Sequence, residues 1–173
     1  MLSRPWATNG RTFNDRIWSN RSALVNVVQT ELTQAIIRGD NPSKIADVLA
    51  KRFNTSKNNA GRLAMTESAY ISQTAQKDCF VALDVEKYEI VEALDSTSCE
   101  LCQSLDGTVL PMKEFEPGVT APPFHPWCRG CTAPWFPDDP GQRVARGEDG
   151  ELYYVPSNMS YSEWKKKFVD GSS

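Results

Sequence analysis

The chain has 173 residues, 40% of them hydrophobic, with a net charge of −3 and a pI near 5.3, which excludes disorder as the default and leaves room for one compact domain, or a helical half with a small second module. An acidic chain has no global field for a phosphate backbone, so nonspecific DNA contact needs a local patch; residues 1–86 carry three more basic than acidic side chains and residues 87–173 six more acidic than basic, which puts such a patch in the first half. No apolar run reaches the roughly 18 residues of a membrane span, and MLSRPWATNGRTFNDR lacks the apolar stretch of a signal peptide, so synthesis in the cytoplasm and no membrane partner are expected.

Residues 1–11, polar with Pro5 and Gly10, read as a flexible leader, and residues 12–84 as a helical segment. From Thr12 to Arg38 the apolar positions Ile17, Leu24, Val28, Leu32, Ala35 and Ile36 recur at helical spacing, and Gly39 closes the run. That predicts one long amphipathic helix, with Ser19 the place for any break. Asn41-Pro42-Ser43 restarts the chain with an Asx residue at the cap and proline at the first helical position, and Ile45, Val48, Leu49 and Phe53 form the expected buried stripe. Asn54-Thr55-Ser56 caps a third run, in which Ala60, Leu63, Ala64, Ala69, Ile71, Ala75, Cys79 and Phe80 lead on to about Leu83. Cys79 reads as an ordinary core residue.

Residues 85–173 read as a small β module. Tyr88, Ile90, Val91 and Ala93-Leu94 form a β-prone run. Asp106-Gly107 is a turn feeding a strand at Thr108-Val109-Leu110, and no helix survives the proline-rich stretch from Pro117 to Pro140. Glu151 to Val155 is a last strand, and Ser160 to Val169 a short helix with Tyr161, Trp164 and Phe168 on one face, its Lys165-Lys166-Lys167 answering the helix dipole. The fold class expected is α+β: an N-terminal unit of about three helices, a small antiparallel β module stapled by a zinc knuckle, and a short C-terminal helix.

Four of the five cysteines form two CxxC pairs, Cys99/Cys102 and Cys128/Cys131, about 25 residues apart. In a reducing compartment such pairs bind metal more often than they form structural disulfides. Each pair can place two thiolates on one side of a tight turn, so one structural zinc per chain, held by Cys99, Cys102, Cys128 and Cys131, is the simplest closed site. His125, three residues before Cys128, is an alternative ligand in place of one cysteine. Strands of four or five residues around a proline-rich loop bury too little apolar surface to hold their geometry alone, and metal binding supplies the missing folding free energy. A competing reading makes His125, the one histidine, a general base to Cys102 or Cys128 in a Cys/His hydrolase or zinc-dependent nuclease, with Asp95 or Asp106 orienting the ring. A closed four-ligand site leaves no position for a catalytic water, which favours a structural ion over a catalytic one.

RLAMTES, EALDSTSCELCQSLDG, APPFHPWCRGCTAPWF and DGELYYVPSNMSYSEWKKKFV, in that order, are similar to the C-terminal domain of phage Mu protein F-like minor head proteins, the phage head morphogenesis family. The resemblance runs from about Trp18 to Val169. Its most specific pieces are D-x-x-x-C-x-x-C-x-x-x-D-G, P-P-x-H-P-x-C-R and the YVPSNMSYSEW tail seen in prophage members. The resemblance implies a minor capsid protein that acts by binding, associates with the portal and capsid proteins during procapsid assembly, and resides in the virion head interior. It implies neither catalysis nor a small-molecule substrate, and it allows nonspecific DNA contact.

Overall fold

The computed structural model describes residues 13–41, 43–137 and 141–171, so the expected leader lies outside the described residues. The fold is α+β, and the chain divides into two compact units, one up to Met65 and one from Thr66 onward. The periodicity changes near residue 84, as the sequence suggests, but the compact units divide earlier, inside the third helix. The reason is that the later turns of that helix supply Gln73, Gln76 and Phe80 to the β module.

The first unit holds α1 (Phe13–Arg38), α2 (Ser43–Phe53) and the opening turns of α3 (Lys57–Ala82). α1 runs through Ser19 without a break and stops at Gly39, whose φ of +68° suits a residue without Cβ. Asp40 N–H reaches the Ala35 carbonyl (2.8 Å) and Gly39 N–H the Ile36 carbonyl (3.1 Å), which satisfies carbonyls at the helix end. Asn41 Oδ1 accepts from Ser43 N–H (2.9 Å) and Ser56 Oγ from Asn59 N–H (3.2 Å), so both expected N-terminal caps form. α1 packs on α2. Val28, Leu32 and Ala35 are buried with Ile45, Ala46 and Leu49, whereas Ile36 and Val48, expected on the buried stripes, are 52% and 41% exposed. The stripe of α2 is turned toward Ala46.

In the second unit β1 (Lys87–Val91) is the central strand of a three-stranded antiparallel sheet, flanked by β2 (Val109–Pro111) and β3 (Cys131–Pro134). Both flanking strands end in proline, which an edge strand tolerates because its outer N–H groups need no ladder partner. Tyr88 pairs with Leu110 on one side and Pro134 on the other, and Val91 faces Cys131. Tyr88 and Ile90, alternating with polar positions, turn inward onto Phe80, Phe115 and Ala121. Phe115 stands 4.5 Å from the Tyr88 ring and 6.3 Å from Phe80. Cys79 is exposed rather than in this core: it lies one position, about 100° of helix, from the inward Phe80. The polar Gln73 is buried instead, accepting from Thr132 Oγ1 (2.9 Å), while Gln76 donates to the Thr132 carbonyl (2.7 Å).

β4 (Gln142–Arg146) and β5 (Leu152–Pro156) form a separate antiparallel pair, joined to the stretch after β1 by the Arg146 N–H to Leu94 carbonyl bond (2.9 Å). α5 (Tyr161–Phe168) opens on a capping box between Ser160 and Glu163 and buries Tyr161 and Trp164 on Leu94, Ala145 and Val155. Trp164 Nε1 donates to Tyr153 Oη (2.7 Å). Between β1 and β2 a six-residue helix, α4 (Glu100–Leu105), ends on Asp106. No helix among the described residues is long and apolar enough to cross a membrane.

Asp106 ties these parts together. Its side chain is fully buried; Oδ1 accepts from Glu92 N–H (2.8 Å) and Arg143 Nη2 (2.8 Å), and Oδ2 from Tyr161 N–H (2.6 Å) and Arg143 Nη1 (3.1 Å). Arg143 in turn donates to the carbonyls of Met159 and Glu92. Removing one member of a buried ion pair strands the other charge, at a cost of about 3–5 kcal/mol. Asp106→Ala should lower unfolding stability by about that amount, read as a drop in urea midpoint; a loss under about 1 kcal/mol would show that the hub is dispensable.

Candidate metal centre

The site forms where two turns meet the end of β1. Cys99 is the N-cap of α4, and its Sγ accepts from Cys102 N–H at 3.5 Å, so the first CxxC wraps the opening turn of the helix and aims both sulfurs the same way. Opposite it, residues 124–128 bend sharply: Trp127 adopts φ +65°, a left-handed conformation that is costly for a side-chain-bearing residue, and Cys128 N–H closes the turn on the His125 carbonyl (3.1 Å). That bend presents His125 and Cys128 together.

His125 Nε2 lies 3.3 Å from Cys99 Sγ and 3.1 Å from Cys102 Sγ, and Cys102 Sγ is 3.9 Å from Cys128 Sγ. The donor atoms of Cys99, Cys102 and His125 all lie within 4.8 Å of one another, and so do those of Glu92, Cys102 and Cys128. Cys102 is common to both groups. Cys131 belongs to neither: it opens β3, its direction is fixed by pairing with Val91, and its Sγ turns to the Val91 carbonyl at 3.6 Å. Of the sequence-predicted ligands, the structure therefore gathers Cys99, Cys102, Cys128 and His125 and leaves Cys131 apart.

The donor set suits a zinc-type ion. Zinc–sulfur bonds of about 2.3 Å at tetrahedral angles set two thiolates roughly 3.8 Å apart, and a thiolate and an imidazole nitrogen roughly 3.5 Å apart, so the observed spacings need only shifts of tenths of an ångström. His125 Nδ1 stands 2.7 Å from the Pro126 carbonyl. An N–H there donates to that oxygen and leaves the Nε2 lone pair facing the sulfurs, the arrangement a ligating histidine needs. The N–H of Cys102 favours the Cys99 thiolate and lowers its pKa, whereas burial, reinforced by the charge of Glu92, pushes the Cys102 thiol up. Burial likewise raises Glu92. A cation held by these residues would relieve this crowding of acidic groups by favouring the deprotonated thiols.

Neither aspartate considered as an orienting group reaches His125. Asp106 is saturated at its hub, and Asp95 accepts a two-pronged contact from Arg129 (2.6 and 2.9 Å) along with Thr97 N–H (2.9 Å) and Oγ1 (2.8 Å). Arg129 Nη2 also donates to Thr97 Oγ1 (2.8 Å). This clamp joins the turn before Cys99 to the residue after Cys128, so it holds the two ligand-bearing segments in register. Gly107, at φ +78°, sends its N–H to the Ile90 carbonyl and completes the Asp-Gly pair of the first block.

Two residues of the site escape a motif reading, Glu92 and Gly130. One signal was available: Tyr88, Ile90, Glu92 and Leu94 share a strand phase, and all four are buried.

A family model described as phage Mu protein F like protein matches residues 26–133, more than half of the chain. The chain belongs to the phage Mu protein F-like family. The match covers all the donors and ends within β3; β4, β5 and α5, which carry the expected tail block, lie beyond it. No curated protein and no solved structure matches the chain. Membership agrees with the head-morphogenesis role that the sequence blocks imply, and the Cys/His groups of this family member can hold a metal ion.

The Asp95 carboxyl is held well below its ordinary value of 3.8, chiefly by Arg129. A carboxylate depressed on folding contributes stability that is complete above its unfolded value and is lost as pH falls toward the folded one. Asp95→Asn should therefore be less stable than wild type at about pH 6, with the gap narrowing below about pH 4. A gap that stays constant across that range in denaturant titrations would show that the clamp does not act through charge.

Proposed function

We propose that this chain is a phage minor head protein that acts by binding in head morphogenesis, and that its Cys/His cluster holds one structural zinc. The family match over residues 26–133 carries the role. The convergence of Cys99, Cys102 and His125, with Cys128 the next sulfur, supports the ion. In this reading the first CxxC and the His125–Cys128 turn are pinned by one metal, which supplies folding free energy that the short strands lack. The portal and capsid proteins are the partners, and the virion head interior is the location.

Purified without added metal, the chain should carry about one zinc, lost in Cys102→Ser and kept in Cys131→Ser. His125→Ala should weaken zinc binding and loosen the cluster. Folded wild-type protein free of zinc would overturn the metal reading, and a His125→Ala variant that keeps zinc and fold but loses a hydrolytic or nuclease activity would favour the enzyme instead. For the role, the chain mixed with the portal ring of its phage should co-sediment at fixed stoichiometry; its absence from purified heads would overturn it.

The basic excess in residues 1–86 favours a second contact, with DNA. Its affinity should fall steeply between low and physiological salt, and a flat response rules it out.

A further inference from the structure

Beside the Cys/His cluster lies one buried carboxylate with no role among its proposed ligands. Glu92 is 4% exposed, and its Oε1 has no hydrogen-bond partner. A buried carboxylate oxygen left unpaired is costly, and such groups in native proteins usually mark an ion or a functional contact. The position of this one is enforced from two sides. Strand alternation turns Glu92 inward behind Tyr88 and Ile90. The backbone of Gly130, between the cysteines of the second pair, then receives it: a Cβ there would stand 2.9 Å from Glu92 Oε2 and closer still to Oε1 and Cδ. Gly130 does not occupy the left-handed region, so it is space for the carboxylate, not backbone geometry, that calls for glycine.

The cradled carboxylate faces Cys102 and Cys128, with its donor oxygen and the two sulfurs within 4.8 Å of one another. We propose that Glu92 is a reserve ligand: the cluster offers its ion two donor sets sharing Cys102, an outer one with Cys99 and His125 and an inner one with Glu92 and Cys128, and the Glu92 oxygen takes over when an outer donor is lost. This rests on the reading that the cluster binds zinc. Carboxylate oxygen is an ordinary zinc donor, and an ion held with the Cys102 and Cys128 sulfurs would give this buried carboxylate a charged partner. The two sets differ in exposure, since Cys99 is at the surface while Glu92, Cys102 and Cys128 are all buried. Exposed cysteines are the ones reached by oxidants. The inner set keeps the ion through such damage to Cys99.

The test measures zinc per chain on the full-length protein equilibrated in a zinc-buffered chelator, with circular dichroism to report folding and zinc-edge X-ray absorption to count sulfur and oxygen donors. Cys99→Ser keeps the N-cap function and should retain about one zinc, with an oxygen donor in its shell. Cys99→Ser/Glu92→Gln should lose at least roughly tenfold in zinc affinity relative to Cys99→Ser, while Glu92→Gln alone stays loaded. Cys99→Ser/Gly130→Ala, which keeps the carboxylate but displaces it, should behave like the Glu92 double variant and covers the case in which that variant fails to fold. Cys99→Ser as empty as Cys102→Ser, or a folded Cys99→Ser/Glu92→Gln as loaded as Cys99→Ser, overturns the reserve-ligand proposal while leaving the zinc reading intact. No zinc in folded wild type overturns both.

Discussion

A single buried carboxylate organises the second unit. Asp106 ends α4, and from there it holds the backbone leaving β1 at Glu92, the first residue of α5 at Tyr161, and the guanidinium of Arg143 on β4. These segments come from four stretches of chain with little apolar surface to share, and the four-donor contact compensates the desolvation that a charge at full burial would otherwise cost. Because Asp106 lies four residues after Cys102, the same contact sets the angle of α4 and therefore the direction of the Cys99 and Cys102 sulfurs. The three-stranded sheet, the β4–β5 pair and the cysteine cluster thus depend on one point.

The second linkage is electrostatic and nearer the surface. Arg129 and Asp95 join the two cysteine-bearing blocks, and because the Arg129 side chain is 47% exposed, its contribution to stability is modest beside that of the Asp106 hub. Its effect is geometric: it keeps the turn before Cys99 beside the turn that carries His125 and Cys128, at separations that need little movement to accept an ion. The spaced motif of the first block resolves into separate duties. Asp95 clamps, Cys99 and Cys102 offer sulfur, Asp106 organises, and Gly107 permits the turn into β2. The arginine of the second block is the other half of the Asp95 clamp, and its histidine is oriented by the neighbouring Pro126 carbonyl rather than by a carboxylate.

Each unit has to hold its shape, and the two do so by different means. The second unit meets that demand with polar contacts at high burial and a donor cluster in place of a large core, as expected for short strands and long connections. The first unit meets it by helix packing, with leucine, isoleucine and alanine buried along α1 and α2.

Much of this was legible in the residues. Helical periodicity and the caps at Asn41 and Ser56 located the three long helices; Gly39 marked the end of α1, and the β-prone run from Tyr88 identified β1, because these signals are local. The two CxxC pairs and His125 marked the side chains that could serve as donors, since a tight turn is itself a local structure. Other features lay beyond sequence reasoning. α4 and β3 are too short to show a period, and β3 and β4 exist only through their pairing with β1 and β5. That Cys131 turns away, that Cys79 is exposed, and that Glu92 occupies the space left by Gly130 were decided by strand register and helix rotation, which long-range packing sets. The sequence by itself determined the elements and the chemistry of the donors; the tertiary structure alone decided which donors meet, because their directions depend on contacts between residues far apart in the chain.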